Sequence, residues 1–358
     1  LRPTPILYLI TELDPGGAER VLFNIVSNLD RLRYQPVVVS LKDLGFFGSR
    51  LQRIGIPVER LDIIRYYDLW RAKRFISILR DYKPRLIHSF LIHANLLARI
   101  ACILKPRPKI VCSVHTMIDA PFPLLFDRLT RHVPDLILCA SESVRQFVHR
   151  RIGLSLSKLH LLYNGVPIPS QQHPVPEVTT VLFASRLVPG KGAEDLLKAA
   201  TIVLRRSPDV RFVFAGEGPL RDKLIRMTKS YAVQDNIEFT GFCEEITPLL
   251  KQTRCLVHPS RLGEAVPMAI LEAMAASRAV IAADSGGCAE AVIDGETGFL
   301  VPPGNINALA DRIGLLVSDQ RLSLRLGQAA YHRARRLFSL ETMIKNLEGV
   351  YQSLIPLA

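Results

Sequence analysis

Short apolar runs rich in β-branched residues alternate with amphipathic stretches along this chain, and the alternation occurs twice. In the first half the runs are "PILYLI" (5–10), "QPVVVSL" (35–41), "RLIHSF" (85–90), "KIVCSVH" (109–115) and "DLILCAS" (135–141). Helical patterns such as "ERVLFNIVSNL" (19–29) and "ANLLARIACIL" (94–104) fill the gaps. A run that is apolar throughout predicts a strand buried on both faces. With helices between such strands, a parallel sheet covered on both sides is expected. "VPIPSQQHPVPEV" (166–178) breaks the rhythm; it is rich in Pro and Gln, lacks a period and reads as a linker. The alternation then restarts with "TVLFASRL" (180–187), "VRFVFAGEG" (210–218), "NIEFTGF" (236–242), "CLVHPS" (255–260), "AVIAAD" (279–284) and "GFLVPPG" (298–304). Helical patterns at 307–317, 320–335 and 340–354 follow. At 358 residues the chain is longer than one core usually serves, so two doubly wound domains are expected. Ligands of such sheets bind beyond the carboxyl ends of the strands, which for two facing sheets means the cleft between them.

The net charge of +13 is unevenly spread. Up to Gly165 there are 25 Lys and Arg against 13 Asp and Glu, a net of +12, and the rest of the chain carries +1. An anionic partner for the first half is implied, or else a solvated basic face. The basic residues are dispersed and not interleaved with aromatics, which argues against a nucleic-acid module. No apolar run reaches the ~20 residues needed to span a bilayer, and "LRPTPILYLI" reads as a strand rather than a secretory leader. Six scattered cysteines without metal-ligand spacing read as buried reduced thiols of a cytoplasmic protein.

The chemistry concentrates in "RLGEAVPMAILEAMA" (261–275). Pro267 suits the first position of a helix, which puts Glu264 on the preceding loop and Glu272 in the second turn. The free N–H groups at 267–269 would attract a phosphate, and the two carboxylates could accept hydrogen bonds from hydroxyls on either side of it. That pattern suits a nucleotide sugar; a solvated helix with incidental acids is the alternative. "SRLVPGKG" (185–192) places Arg186 and Lys191 on a glycine-containing turn, where two cations can neutralise a diphosphate. "AGEGPL" (215–220) and "SGG" (285–287) are further strand ends at which a ligand could approach the backbone.

The order of "GGAER", "SVH", "YNGV", "SRL…KG", "AGEGP", "HPS…GEAVPMAILEAMA" and "DSGG…E.VIDGETGFLVPPGN" resembles the family 4 retaining glycosyltransferases over almost the whole chain. The resemblance implies an α/β chain of GT-B fold, two Rossmann-like parallel-sheet domains facing across a cleft. Residues 1–165 would form the acceptor-binding domain, joined by the linker 166–178 to a nucleotide-sugar-binding domain at 179–339. The C-terminal helix within 340–358 would pack back on the first domain. In this pattern Glu272 would hold the nucleotide ribose and Glu264 would lie at the reacting face of the donor sugar. Arg186 and Lys191 would clamp the departing diphosphate. Val266, Pro267 and Met268 would contact the sugar or phosphate, and Phe242 to Ile246 the base. Gly16 and Gly17 would let the backbone approach the diphosphate and acceptor. His115 matches a histidine near the sugar, whereas His88 and His93 read as structural, with His93 a possible neighbour of the acceptor.

The chain departs from the family pattern at Ala265 and Ser277, where Gly is common, and at Ala279, where Pro is common. It has no Asp-x-Asp motif placed to hold a metal with the diphosphate. The resemblance implies no cofactor and no metal: a UDP-sugar donor, with a saccharide or lipid-linked acceptor in cell-surface polysaccharide or glycolipid synthesis. The basic half and "APFPLLFDRLTRHV" (120–133), with Phe122, Leu125, Phe126 and Leu129 as an apolar stripe, suggest peripheral attachment to an anionic membrane on its cytoplasmic face. A sugar-nucleotide epimerase or a phosphorylase of the same fold, or a binder of anionic surfaces, are the rival readings. The phosphorylase would need a lysine-bound pyridoxal, of which there is no sign, and the epimerase would lack the paired glutamates.

Overall fold

The computed structural model describes residues 3–63, 71–104, 106–117, 121–172, 174, 176–177 and 179–355. The chain divides into two units, residues 1–165 with 341–358, and residues 166–340.

In the first unit the strands are β1 (Thr4–Ile10), β2 (Tyr34–Ser40), β3 (Val58–Arg60), β4 (Leu86–Phe90), β5 (Lys109–Val114), β6 (Leu136–Cys139) and β7 (Leu159–Leu161). They form one parallel sheet in the order β3-β2-β1-β4-β5-β6-β7. Five of these strands follow the apolar runs. β3 and β7 do not appear as runs, because each is a three-residue edge strand, "VER" and "LHL", largely open to solvent. The helices are α1 (Gly17–Asn28), α2 (Gly45–Arg53), α3 (Ala72–Tyr82), α4 (Ile92–Ala98), α5 (Pro121–Leu129) and α6 (Glu142–Ile152). Ser141 caps α6 by accepting from the Val144 N–H at 3.1 Å.

The second unit repeats the plan. Its strands are β8 (Thr180–Ala184), β9 (Arg211–Ala215), β10 (Ile237–Gly241), β11 (Cys255–His258), β12 (Ala279–Ala283) and β13 (Gly298–Val301), ordered β10-β9-β8-β11-β12-β13 and all parallel. Its helices are α7 (Ala193–Arg206), α8 (Arg221–Ser230), α9 (Thr247–Lys251), α10 (Met268–Ala275), α11 (Cys288–Ala291), α12 (Ile306–Ser318) and α13 (Gln320–Leu337). Phe183, Phe212, Phe214 and Ile281 on the strands pack with Leu196, Leu197 and Ile313 on the helices as one buried core. The start of the linker is tied into this unit: the Val166 N–H donates to Phe338 O, and the Leu340 N–H donates to Val166 O, both at 2.9 Å. Linker residues 173, 175 and 178 lie outside the described residues.

The last helix, α14 (Leu340–Leu354), belongs from Glu341 onward to the first unit. Its Tyr351 is fully buried there. The Tyr351 hydroxyl lies 3.0 Å from the Tyr8 hydroxyl on β1 and 2.6 Å from His88 Nδ1 on β4. His88 Nε2 lies 2.7 Å from Ser113 Oγ on β5. Four buried polar groups from three strands and a distant helix thus satisfy one another. His88 is structural, as the sequence reading had it.

Candidate active site

In each sheet the strand order reverses once, between β1 and β4 in the first unit and between β8 and β11 in the second. Helices leave on opposite faces at such a reversal, and the loops that follow its two strands part to form a crevice. In the second unit those loops are residues 185–192 and 259–267. They carry Arg186, Lys191 and Glu264, three of the residues singled out from sequence.

Backbone contacts set the geometry of these loops. Gly192, at φ +83°, caps α7, and a β-carbon there would lie 2.2 Å from Pro259 O. Only glycine lets the two loops approach so closely. The Gly287 N–H donates to Glu264 O at 2.8 Å, and a β-carbon on Gly287 would lie 2.4 Å from Val266 N. The turn after β12 therefore rests directly on the backbone of residues 264–266. Ala265, in place of glycine, is accommodated there as a buried methyl.

Lys191 Nζ lies 2.5 Å from Glu264 Oε2, with the two side chains only 14% and 16% exposed. The other carboxylate oxygen accepts from Ser260 Oγ at 2.6 Å and faces His258 Nε2 at 3.4 Å. Burial by itself would raise the Glu264 carboxyl. His258 and Lys191 outweigh it and bring the carboxyl down to about 2. Glu264 is a fixed anion at any physiological pH. His258 and Ser260 were not assigned a role from sequence. The signal was present in "HPS": residues two apart on an extended strand end point the same way, here towards the carboxylate.

Arg186 is exposed on the same loop as Lys191, and among the described residues it makes no ion pair. Pro267 is the N-cap of α10 rather than its first residue, with φ −67° and ψ 134°. Proline has no N–H, so the donors expected at 267–269 reduce to those of Met268 and Ala269, which a helix start leaves without partners inside the helix. Val266 and Pro267 are buried beneath this terminus and Met268 is half-buried. Glu272 is half-buried in the second turn of α10. Phe242 is exposed in the loop after β10, the edge strand two places from β8. At the usual strand spacing that is about 10 Å from the Arg186–Lys191 loop.

In the first unit, Gly16 caps α1 and Gly17 is its first residue. A β-carbon on Gly16 would strike the Glu19 carboxylate at 2.1 Å, whereas Gly17 faces open space. His115 follows β5 and stacks on Phe90 at 5.6 Å between ring centroids. Neither ring nitrogen has a partner among the described residues, and burial holds the imidazole at about 4, so it is neutral. His115 lines a cavity with Asn95, Arg99, Cys112, Thr116 and Asp127. His93 is exposed in the first turn of α4. Of the cysteines, Cys112, Cys139, Cys255 and Cys288 are buried and free, while Cys243 is half-buried and Cys102 exposed, against the expectation that all six are interior.

On α5, Leu125, Phe126 and Leu129 are 52%, 40% and 70% exposed. The Phe122 side chain and residue 120 of the same stretch lie outside the described residues. No described helix is long and apolar enough to cross a membrane.

Residues 168–333 match the family model of glycosyl transferases group 1, and residues 15–168 match that of glycosyltransferase family 4. The chain is 32% identical over 176 residues to an alpha-D-kanosaminyltransferase of Streptomyces kanamyceticus, a match covering 49% of this chain and 45% of that protein. It is 28% identical over 222 residues to an exopolysaccharide phosphotransferase of Streptomyces coelicolor, covering 62% of this chain and 24% of the other. The chain thus spans less than half the length of these curated relatives. Among solved structures, Anabaena HepE in complex with UDP and glucose superposes with a TM-score of 0.87 at 23% identity, over 98% of this chain and 100% of that one. Such neighbours establish the architecture as GT-B, with two parallel-sheet α/β domains, in agreement with the fold expected from sequence.

Proposed function

We propose that this chain, which belongs to the group 1, family 4 type of glycosyltransferases, moves a sugar from a nucleoside diphosphate to a hydroxyl acceptor with retention at the anomeric carbon. The observation that carries the reading is the Lys191–Glu264 pair at the strand-order reversal, backed by Ser260 and His258. A diphosphate entering the crevice meets Arg186, Lys191 and the start of α10, which supply positive charge where the leaving group develops negative charge. No metal is needed for that task. Glu264, held ionised, accepts hydrogen bonds from sugar hydroxyls. Glu272 takes the ribose, and Phe242 lies far enough along the sheet edge to meet the base.

The reaction breaks the bond from the anomeric carbon to the diphosphate oxygen. It forms the bond to the acceptor oxygen on the same face, and the acceptor proton passes to the departing diphosphate. UDP is the nucleotide we favour, because the HepE structure holds UDP and glucose. The acceptor is assigned to the first unit, where the neutral His115 can donate to or accept from a hydroxyl. A lipid-linked saccharide is favoured, with the protein peripheral on the cytoplasmic face of a membrane. Exposed Leu125, Phe126 and Leu129 on a strongly basic unit support that attachment.

The test is UDP release from a panel of UDP-sugars with and without a lipid-linked acceptor. Acceptor-dependent release is expected. Acceptor-independent release together with a free, epimerised sugar points to a hydrolysing epimerase, and no turnover of any nucleotide sugar overturns the reading.

A further inference from the structure

We propose that Arg261 is a positioning residue for this site, resting on the reading above: it fixes the loop that carries Glu264 against the helix that begins beside Lys191. Arg261 Nε donates to Asp195 Oδ2 and Nη2 donates to Oδ1, both at 2.7 Å, a two-pronged fork. Asp195 is buried in the first turn of α7, four residues after Lys191, and Arg261 lies three residues before Glu264. The same two segments are therefore bridged twice, with opposite polarity: cation to anion at Lys191–Glu264, and anion to cation at Asp195–Arg261. The Arg261 N–H also donates to Gly190 O at 2.7 Å, so backbone and side chain of one residue grip both ends of the Lys191 turn. A third segment closes over the guanidinium. Gly304, at φ +77° after β13, would place a β-carbon 3.0 Å from Arg261 Cζ, so no larger residue fits there without moving the arginine.

The fork does more than hold the fold together. The pair is not dry: the Arg261 side chain is 52% exposed, although Asp195 is buried and loses its counterpart when the arginine is removed. Its geometry is nonetheless rigid, because a guanidinium meeting both oxygens of a carboxylate fixes angle as well as distance. What the fork controls is the relative placement of two loops whose tips carry the reacting charges, and small misplacements of such groups are costly to turnover.

The experiment compares wild type, Arg261→Ala, Arg261→Lys and Gly304→Ala, with Tyr331→Phe on α13, which removes only a hydroxyl that donates to Pro169 O, as a control in the same unit. Lys191 is labelled with an amine-selective reagent and its rate is read by mass spectrometry, with the exposed Lys198 on α7 and Lys229 on α8 as internal references. Arg261→Ala should raise Lys191 labelling about fivefold over the references and lower kcat about tenfold, with donor KM within about twofold. Its melting temperature should fall by a few degrees, because the buried Asp195 carboxylate loses its counterpart. Arg261→Lys should recover part of the loss, since one prong survives, and Gly304→Ala, which shifts the guanidinium by a few tenths of an ångström, should show the same changes at smaller size. Unchanged Lys191 labelling in Arg261→Ala overturns the proposal. So does a parallel rise at all three lysines with a large drop in melting temperature, which marks a structural role. If the wild type turns over no nucleotide sugar, the proposed function fails, but the labelling comparison still decides the role of Arg261.

Discussion

Lys191 and Glu264, 73 residues apart in the chain, meet at 2.5 Å across the two loops that follow β8 and β11. An ammonium assigned to a diphosphate is engaged by a carboxylate assigned to a sugar, so a donor must share or displace this contact. The pair is mostly buried, and removing either partner leaves the other charge inside without its counterpart.

Lys191→Ala should raise donor KM and lower kcat. Loss of a charge-assisted phosphate contact costs roughly 2–4 kcal/mol at the transition state, a fall in kcat/KM of about 30-fold to 1,000-fold. Steady-state kinetics with the preferred donor checks this, and a near-wild-type kcat/KM removes Lys191 from the clamp.

The two glutamates should separate by ligand. Glu272→Ala should weaken binding of UDP itself, because its partner is the ribose. Glu264→Ala should retain UDP affinity, since it releases Lys191 for the diphosphate, yet lose turnover. Calorimetry with UDP on both variants is decisive, and equal losses of affinity contradict the division.

Acid should destabilise the protein well before its carboxylates titrate. Burial holds His88 at about 3 and His115 at about 4, against 6.5 in an open chain. Between those values unfolding takes up protons, so stability falls as pH falls below about 6.5, at about 1.4 kcal/mol per pH unit for each ring. The Glu264 carboxyl, lowered from 4.5 to about 2, adds a loss in the same direction below pH 4.5. Urea midpoints from pH 7.5 to 5 should drop, and His115→Gln should flatten the slope by one proton.

Ser277→Gly should stabilise the second unit. Ser277 holds φ +59° in the turn after α10, and its hydroxyl is buried with no partner among the described residues. Gly327 packs against Ser277 O so closely that a β-carbon there would lie 2.2 Å away, which prevents the turn from relaxing. Glycine relieves about 1 kcal/mol of left-handed strain, a rise of about 2–4 °C in melting temperature for a domain of this size.

Attachment to a bilayer is checked by co-sedimentation. Binding to anionic vesicles that falls steeply with salt, and is weakened by Leu125→Ser with Leu129→Ser, is the expected outcome. Protein that stays in the supernatant at low salt points to a soluble acceptor.

The strands that follow apolar runs were legible because burial on both faces leaves room for few polar residues, such as His88 and Ser113. β3 and β7 were not, since an edge strand of three residues needs no such run. Glu264 and Lys191 could each be picked out, but not their pairing, because a contact between separate loops has no period in sequence. The fork from Arg261 to Asp195 was invisible for the same reason. His88 lies inside the run "RLIHSF" and His115 ends "KIVCSVH", and neither run names the partners of its imidazole. Only the fold shows that one is satisfied on both nitrogens by Tyr351 and Ser113 while the other has no described partner.

The return of α14 to the first unit imposes an order on biosynthesis. A ribosome makes residues 166–340, the whole of the second unit, before it makes Tyr351. The nascent first sheet must therefore wait with Tyr8 and His88 lacking their common hydroxyl partner, while the later-made unit can already close its core. A chain halted at residue 340 would carry a complete second unit and a first unit without α14, so the part translated earliest is the part completed last.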